Sequence, residues 1–310
     1  LKAIEIENLC MDYKSNWSFQ KTRVLHDLCL TVEEGQLFGY LGANGSGKTT
    51  TIKILMSLLH PASGNARLCG LEITNAQSRL EVGFLPENPY FYEYLTPLES
   101  LRFYGGLQNV SRKEIQSRGI KLLERVGLEH TLKMRLGEFS KGMRQRFGFC
   151  QALINEPKLL ILDEPMSGLD PMGRKMIKTL ILEQRKYGRT VFFSSHILSD
   201  VEEICDHIAI LVKGKLRSQG EVQKLIQSET KRYEFHLEKV SSDLQEILGE
   251  KALKFHKRED SVFCTLPVEN KEELGAWLKR FQDKGVFIEA LIPEKETLEE
   301  YFVRLSSASS

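Results

Sequence analysis

The residues best suited to chemistry stand in Gly42-Ala43-Asn44-Gly45-Ser46-Gly47-Lys48-Thr49-Thr50, after the apolar run Leu37-Phe38-Gly39-Tyr40-Leu41 and before the helix-like run Thr51-Ile52-Lys53-Ile54-Leu55-Met56. Strand, glycine loop, Lys-Thr and helix in that order predict a phosphate cradle. Glycines let backbone N–H groups approach phosphate oxygens, and the N-terminus of the following helix favours negative charge. Lys48 is expected to reach the β- and γ-phosphates of a nucleoside triphosphate, and the Thr49 hydroxyl to take a place on Mg²⁺.

A second chemical group comes after the break at Pro157-Lys158, where Leu159-Leu160-Ile161-Leu162 runs into Asp163-Glu164-Pro165. Four apolar residues ending in two carboxylates predict a buried parallel strand that presents acids at its C-terminal edge. Asp163 would hold the Mg²⁺ shell, and Glu164 would orient or deprotonate the attacking water. Acid pairs after strands are common in plain loops, but beside a phosphate loop the catalytic reading is the better one. Thr190-Val191-Phe192-Phe193-Ser194-Ser195-His196 is another buried strand with a polar end. A lone histidine is usually structural; at the C-terminal edge of an open α/β sheet, where ligands bind, His196 is a candidate γ-phosphate sensor. Tyr13, in the turn-like Met11-Asp12-Tyr13-Lys14, could stack on an adenine ring or pack on the sheet.

The elements that must position these groups follow from periodicity. Residues 3–9 and 24–32 alternate as strands, 65–71 return as strand, and 82–87 form a short strand ended by Pro86. Tyr90, Phe91, Tyr92 and Tyr94 crowd one predicted loop, and Thr96-Pro97-Leu98-Glu99 has the cap, proline and glutamate of a helix start. Helical patterns run through 112–126 and on to about residue 135, and residues 136–146 lead into a helix through Ala152. Residues 208–212 and 215–219 form a hairpin through Gly214 that closes the domain.

At 310 residues the chain has room for about two domains. A formal charge of +1 gives no footprint for nucleic acid, so none is expected as a partner. Six scattered cysteines without a CxxC pair fit reduced thiols better than a metal or disulfide framework. No apolar stretch approaches the ~18–20 residues of a membrane helix, and residues 1–7 alternate like a strand rather than a signal peptide. Membrane attachment is therefore expected to come through a partner.

Together these motifs resemble the nucleotide-binding subunit of ATP-binding-cassette (ABC) transporters over roughly residues 2–225. The resemblance implies an α/β P-loop cassette: a mixed core sheet, an antiparallel β-subdomain and a helical subdomain over about residues 88–155. It makes Gly42 to Thr50 the Walker A loop, Leu159 to Glu164 the Walker B strand, Ser167-Gly168-Leu169-Asp170 the D-loop and His196 the switch histidine. Phe139-Ser140-Lys141-Gly142-Met143 looks like the signature motif, and Tyr13 like the aromatic that stacks on adenine. It further implies ATP and Mg²⁺ as cofactors. Ser140 and Gly142, at a helix N-terminus, would bind the nucleotide of an opposing subunit, which implies a homodimer or a pair with a sister chain. Lys141 and Met143 depart from the commonest signature, while Ser140 and Gly142 remain. Glu87 stands where the family has a glutamine that touches Mg²⁺ and connects to the membrane subunit. The Leu-Pro-Glu strand exit and Ser-x-Gly-Met signature look like cassettes of ABC-2 type exporters. That implies a polytopic permease as partner and a place at the cytoplasmic face of the membrane. The aromatics after Glu87 would then face that permease or pack inside the helical subdomain.

Composition shifts after about residue 226. Strand and helix patterns over residues 227–310 run β-α-β-β-α-β with a final helix, which suggests a small α+β ferredoxin-like domain. Residues 231–310 hold 13 Lys/Arg and 16 Asp/Glu, a net of −3, so RNA binding there is not expected. This appendage, with its Pro293 and Thr297 to Phe302 ending, resembles the extension common in ABC-2 exporter cassettes. It carries no catalytic constellation; contact with the partner cassette and a passive cap are both open. Two other functions compete with transport. A soluble cassette that remodels nucleic acid or ribosomes usually has two cassettes or basic insertions, absent here, and an ATP-gated binding module would not need Glu164 and His196.

Overall fold

The apolar runs that begin at residues 37, 159 and 190 become strands with every residue buried, and they lie side by side. The computed structural model describes residues 1–14, 21–226, 232–258, 261–268, 270–294 and 296–307. By internal contacts the chain divides into Leu1–Glu221 and Val222–Ser310.

The first unit opens with β1 (Lys2–Lys14), β2 (Lys21–Glu33), β3 (Leu37–Leu41) and α1 (Lys48–Leu55). Next come β4 (Ser63–Leu68), β5 (Leu71–Glu72), β6 (Val82–Leu85), α2 (Pro97–Leu107), α3 (Arg112–Arg125) and α4 (Lys141–Leu153). It ends with β7 (Leu159–Leu162), α5 (Pro171–Lys186), β8 (Thr190–Ser195), α6 (Leu198–Ile204), β9 (His207–Val212) and β10 (Lys215–Glu221). The core sheet has the order β10-β9-β3-β8-β7-β6 and is parallel except for the final hairpin. An antiparallel sheet, β2-β1-β4-β5, forms a second layer. α2, α3 and α4 form the helical part between β6 and β7, and capping boxes at Thr96 and Ser111 start the first two.

Strands buried on both faces read as continuous apolar runs. Phe38, Tyr40 and Phe192 pack together on one face of the β3–β8 pair, with ring centroids 5.8 Å (Phe38–Phe192) and 5.3 Å (Tyr40–Phe192) apart. The register is what matters for chemistry: Leu41 pairs with Ser195, Phe193 with Leu162, and Leu162 with Leu85. Four adjacent strands therefore end along one edge. Just past their ends lie, in spatial order, the glycine loop, His196, Asp163-Glu164 and Glu87. Tyr13, read from the sequence as a turn residue, instead lies within β1 opposite Thr22. The expected strand at 65–71 begins and ends earlier, as β4, and the chain then turns at Cys69 and Gly70 into β5.

The second unit contains α7 (Val222–Ile226), β11 (Arg232–Glu238), α8 (Ser242–Lys251), β12 (Lys254–Arg258), β13 (Ser261–Pro267), α9 (Lys271–Asp283), β14 (Phe287–Pro293) and α10 (Leu298–Ser307). Its antiparallel sheet has the order β12-β13-β11-β14, the ferredoxin-like arrangement. Phe235 and Phe281 pack edge to face at its centre, 5.2 Å apart. The tip of the predicted charged turn, Glu259 and Asp260, lies outside the described residues.

Candidate nucleotide-binding and catalytic site

Beyond β3 the chain wraps tightly before α1 begins at Lys48. A Cβ on Gly42 would lie 2.4 Å from Ser46 Oγ and 2.6 Å from the Leu211 carbonyl, so the turn admits only glycine there. Gly47 has φ +111°, in the region that L side chains avoid, and a Cβ would meet Leu25 at 2.7 Å. The loop is fastened from below. Gly214 N–H donates to the Ser46 carbonyl (3.0 Å), and Thr51 Oγ1 donates to the Gly47 carbonyl (3.0 Å). Thr51 Oγ1 also shares a hydrogen bond with the buried Tyr40 hydroxyl at 3.1 Å. Lys48 is buried, and its ammonium donates to the Gly42 carbonyl at 2.7 Å. Ser46 Oγ is buried with no partner among the described residues, as a hydroxyl in a cradle for an acceptor oxygen would be.

The acids approach from β7. Asp163 and Glu164 are both buried, and Glu164 has φ +48°. A left-handed non-glycine residue costs about 1–3 kcal/mol and persists only where its surroundings hold it. Glu164 is held by its side chain: Oε1 lies 3.4 Å from Lys48 Nζ and Oε2 lies 2.8 Å from His196 Nδ1. Its backbone is held as well, because Glu164 N–H donates to Ser194 Oγ at 2.9 Å. Ser194 Oγ in turn donates to Asp163 Oδ1 at 2.6 Å. Burial raises the pKa of the Asp163 carboxyl, opposed by hydrogen bonds from Ser194 and Thr49. A buried Lys–Glu pair gains little net stability after desolvation, which points to chemistry as the reason for Lys48 and Glu164 meeting here.

These groups line an open cleft of about 540 Å³. It gathers Asn44, Gly45, Ser46, Gly47, Lys48, Thr49, Thr50, Glu87, Glu164 and His196 from the sequence-derived candidates. Asp163 joins through Thr49 and Ser194, and the Tyr13 hydroxyl lies 3.4 Å from Thr50 Oγ1. Gly42 sits behind the loop under Lys48. Ser140, Gly142 and Asp170 do not line the cleft. Ser140 caps α4, its Oγ accepting from Met143 N–H at 3.2 Å, with Gly142 in the first turn. Asp170 caps α5, accepting from Gly173 N–H at 2.9 Å. Ser140 and Asp170 are exposed.

The site also holds residues beyond the sequence-derived candidates. Val24 lines the cleft, as does Ser167 at the start of the expected D-loop. Ser194 joins the two acids, and Gln145 Nε2 donates to the Pro165 carbonyl at 3.2 Å. Neither Ser194 nor Gln145 has a signal in the sequence that ties it to the acids: they stand 30 and 19 residues from Glu164. The aromatic run divides. Phe91 turns inward against Phe147 (4.8 Å between centroids), while Tyr90, Tyr92 and Tyr94 remain exposed, Tyr92 packing on Phe103 at 5.4 Å.

A mostly parallel sheet with a glycine loop, two acids and a histidine on one edge defines the class: a P-loop nucleotide-binding cassette. A family model described as ABC transporter matches residues 25–167. The chain is 45% identical over 68% of its length to an uncharacterized ABC transporter ATP-binding protein of Synechocystis, spanning 60% of that relative. It is 35% identical to the bacitracin transport ATP-binding protein of Bacillus licheniformis, over 90% of each chain. A solved ATP-binding subunit of an ABC transporter superposes with TM-score 0.66 at 32% identity, covering 72% of this chain and 91% of that one. The chain belongs to the ABC transporter family, as an ATP-binding cassette.

Proposed function

We propose that this chain is the ATP-hydrolysing subunit of an ABC-2 type exporter, acting as a pair of cassettes on the cytoplasmic face of a membrane. The observation that carries the reading is the convergence of Lys48, Glu164 and His196 over the glycine loop. The loop amides and Lys48 bind and neutralise the phosphates, and Tyr13 beside Thr50 supports the adenine. Glu164, fixed by Lys48 and His196, takes the proton from the attacking water, and His196 reports on the γ-phosphate. Among the described residues no group of three or more His, Cys, Asp or Glu is arranged to hold a metal. Thr49 and Asp163 nevertheless offer oxygen donors side by side, the set that suits Mg²⁺ when substrate phosphates complete its shell. Thr49 and Asp163, with Glu87 in the same cleft, would hold Mg²⁺, which would supply positive charge against the phosphate oxygens.

Ser140, Gly142 and Asp170 lie outside the cleft at helix N-termini, as groups offered to a nucleotide on a second copy would. ATP would close two cassettes head to tail, and hydrolysis would open them. No helix among the described residues is long and apolar enough to cross a membrane; in this reading a polytopic permease does the crossing. The exposed Tyr90, Tyr92 and Tyr94 fit its docking face. Relatives named for bacitracin transport and Nod factor export favour an exporter. Affinity capture of the tagged chain from detergent-solubilised native membranes tests this reading. Recovery of a stoichiometric polytopic subunit is expected; ribosomes or nucleic acid without any membrane subunit would overturn it.

A further inference from the structure

We infer that Ser194 and Gln145 are positioning residues that hold Glu164 in its left-handed, reactive conformation, resting on the reading of Glu164 as the base. The backbone of Glu164 has φ +48°, and nothing in its own sequence (it is neither glycine nor asparagine) favours that geometry. Two side chains clamp it. On one side the Ser194 hydroxyl accepts the Glu164 N–H at 2.9 Å and spends its own proton on Asp163 Oδ1 at 2.6 Å. One fully buried hydroxyl therefore sets the direction of both acids at once. On the other side Gln145 Nε2 donates to the Pro165 carbonyl at 3.2 Å and lies 3.5 Å from the Glu164 carbonyl oxygen. Gln145 is buried on α4, the helix capped by Ser140.

The two clamps enter from different elements. Ser194 is on β8, two residues before His196, so the strand that delivers the histidine also aims the carboxylate the histidine touches. Gln145 ties the same turn to the helix whose N-terminus would face the opposing nucleotide. Neither residue lines the cleft, so neither is a group that ATP itself would contact. Loss of either clamp lets Glu164 relax toward ordinary backbone, moving its carboxylate off the water's position while the phosphate loop stays intact. Small displacements of this kind cost rate far more than binding.

The test is steady-state phosphate release and equilibrium ATP binding by the full chain, for wild type, Ser194→Ala, Ser194→Cys and Gln145→Ala, with melting temperatures alongside. Ser194→Ala and Gln145→Ala are expected to lower kcat at least ~10-fold, with the Kd for ATP within ~3-fold of wild type. Ser194→Cys keeps the volume, replaces the hydroxyl by a weaker partner, and should fall between Ala and wild type; it also covers the case in which the alanine variant does not fold. A kcat within about 2-fold of wild type in Ser194→Cys and either alanine variant would overturn the inference. So would a loss of rate that only tracks equal losses of ATP affinity and melting temperature. A wild-type chain that binds ATP without turnover would instead remove the catalytic reading of Glu164, and this inference with it.

Discussion

In the proposed mechanism the chemistry turns on Glu164, with which Lys48, His196 and Ser194 all make contact. Glu164→Gln should bind ATP and hydrolyse it at least ~10²-fold more slowly, read as phosphate release against nucleotide affinity. Near-normal turnover would place the base elsewhere. Tyr13 allows a second test at this scale. Tyr13→Phe should keep the affinity for ATP and Tyr13→Ala should weaken it about 10-fold, the size of one lost base–aromatic stack. The acids, the lysine and the histidine were legible in the sequence because each comes after a continuous apolar strand, and strand ends in such a sheet are where ligands bind. The clamps on Glu164 were not. Ser194 and Gln145 lie 30 and 19 residues away from it, and no local periodicity records a hydrogen bond to a left-handed turn.

Strands and helices deliver these residues with a register that a single slip would spoil. β3 and β8 are locked by Phe38, Tyr40 and Phe192, all fully or almost fully buried. Phe192→Ala should cost about 3–5 kcal/mol, measured by denaturant unfolding. In the ferredoxin-like unit the tie between β11 and α10 is ionic. Arg232 Nη1 donates to Glu300 Oε1 at 2.9 Å, and the other guanidinium nitrogen pairs with Oε2. The hydrogen bond from Arg232 holds the Glu300 pKa down at about 2. A lowered carboxylate pKa contributes stability that is present above the unfolded value and lost as pH falls through the folded one. Wild type should therefore lose this tie between about pH 4.5 and pH 2, whereas Arg232→Ala should show a flatter acid limb in thermal melts over that window. The alternating and helical apolar patterns made most of this unit readable, whereas β1 and β2 run longer than their patterns because bulges interrupt the alternation.

At the scale of the molecule, Ser140, Gly142 and Asp170 stand outside the cleft that Lys48 lines. They cap or begin α4 and α5, and in the proposed pairing a second cassette would use that surface. Removing residues 228–310 separates the two roles left open for the ferredoxin-like unit. Unchanged turnover and pairing would leave it a structural cap, and reduced pairing would make it part of the dimer. Whether ATP pairs two cassettes and Glu164 ends the pairing by hydrolysis is read from light scattering of Glu164→Gln in Mg²⁺ and ATP. Twice the monomer mass, stable over time, is expected, while wild type returns to monomer as ATP is consumed. A Glu164→Gln chain that binds ATP yet stays at the monomer mass would contradict it.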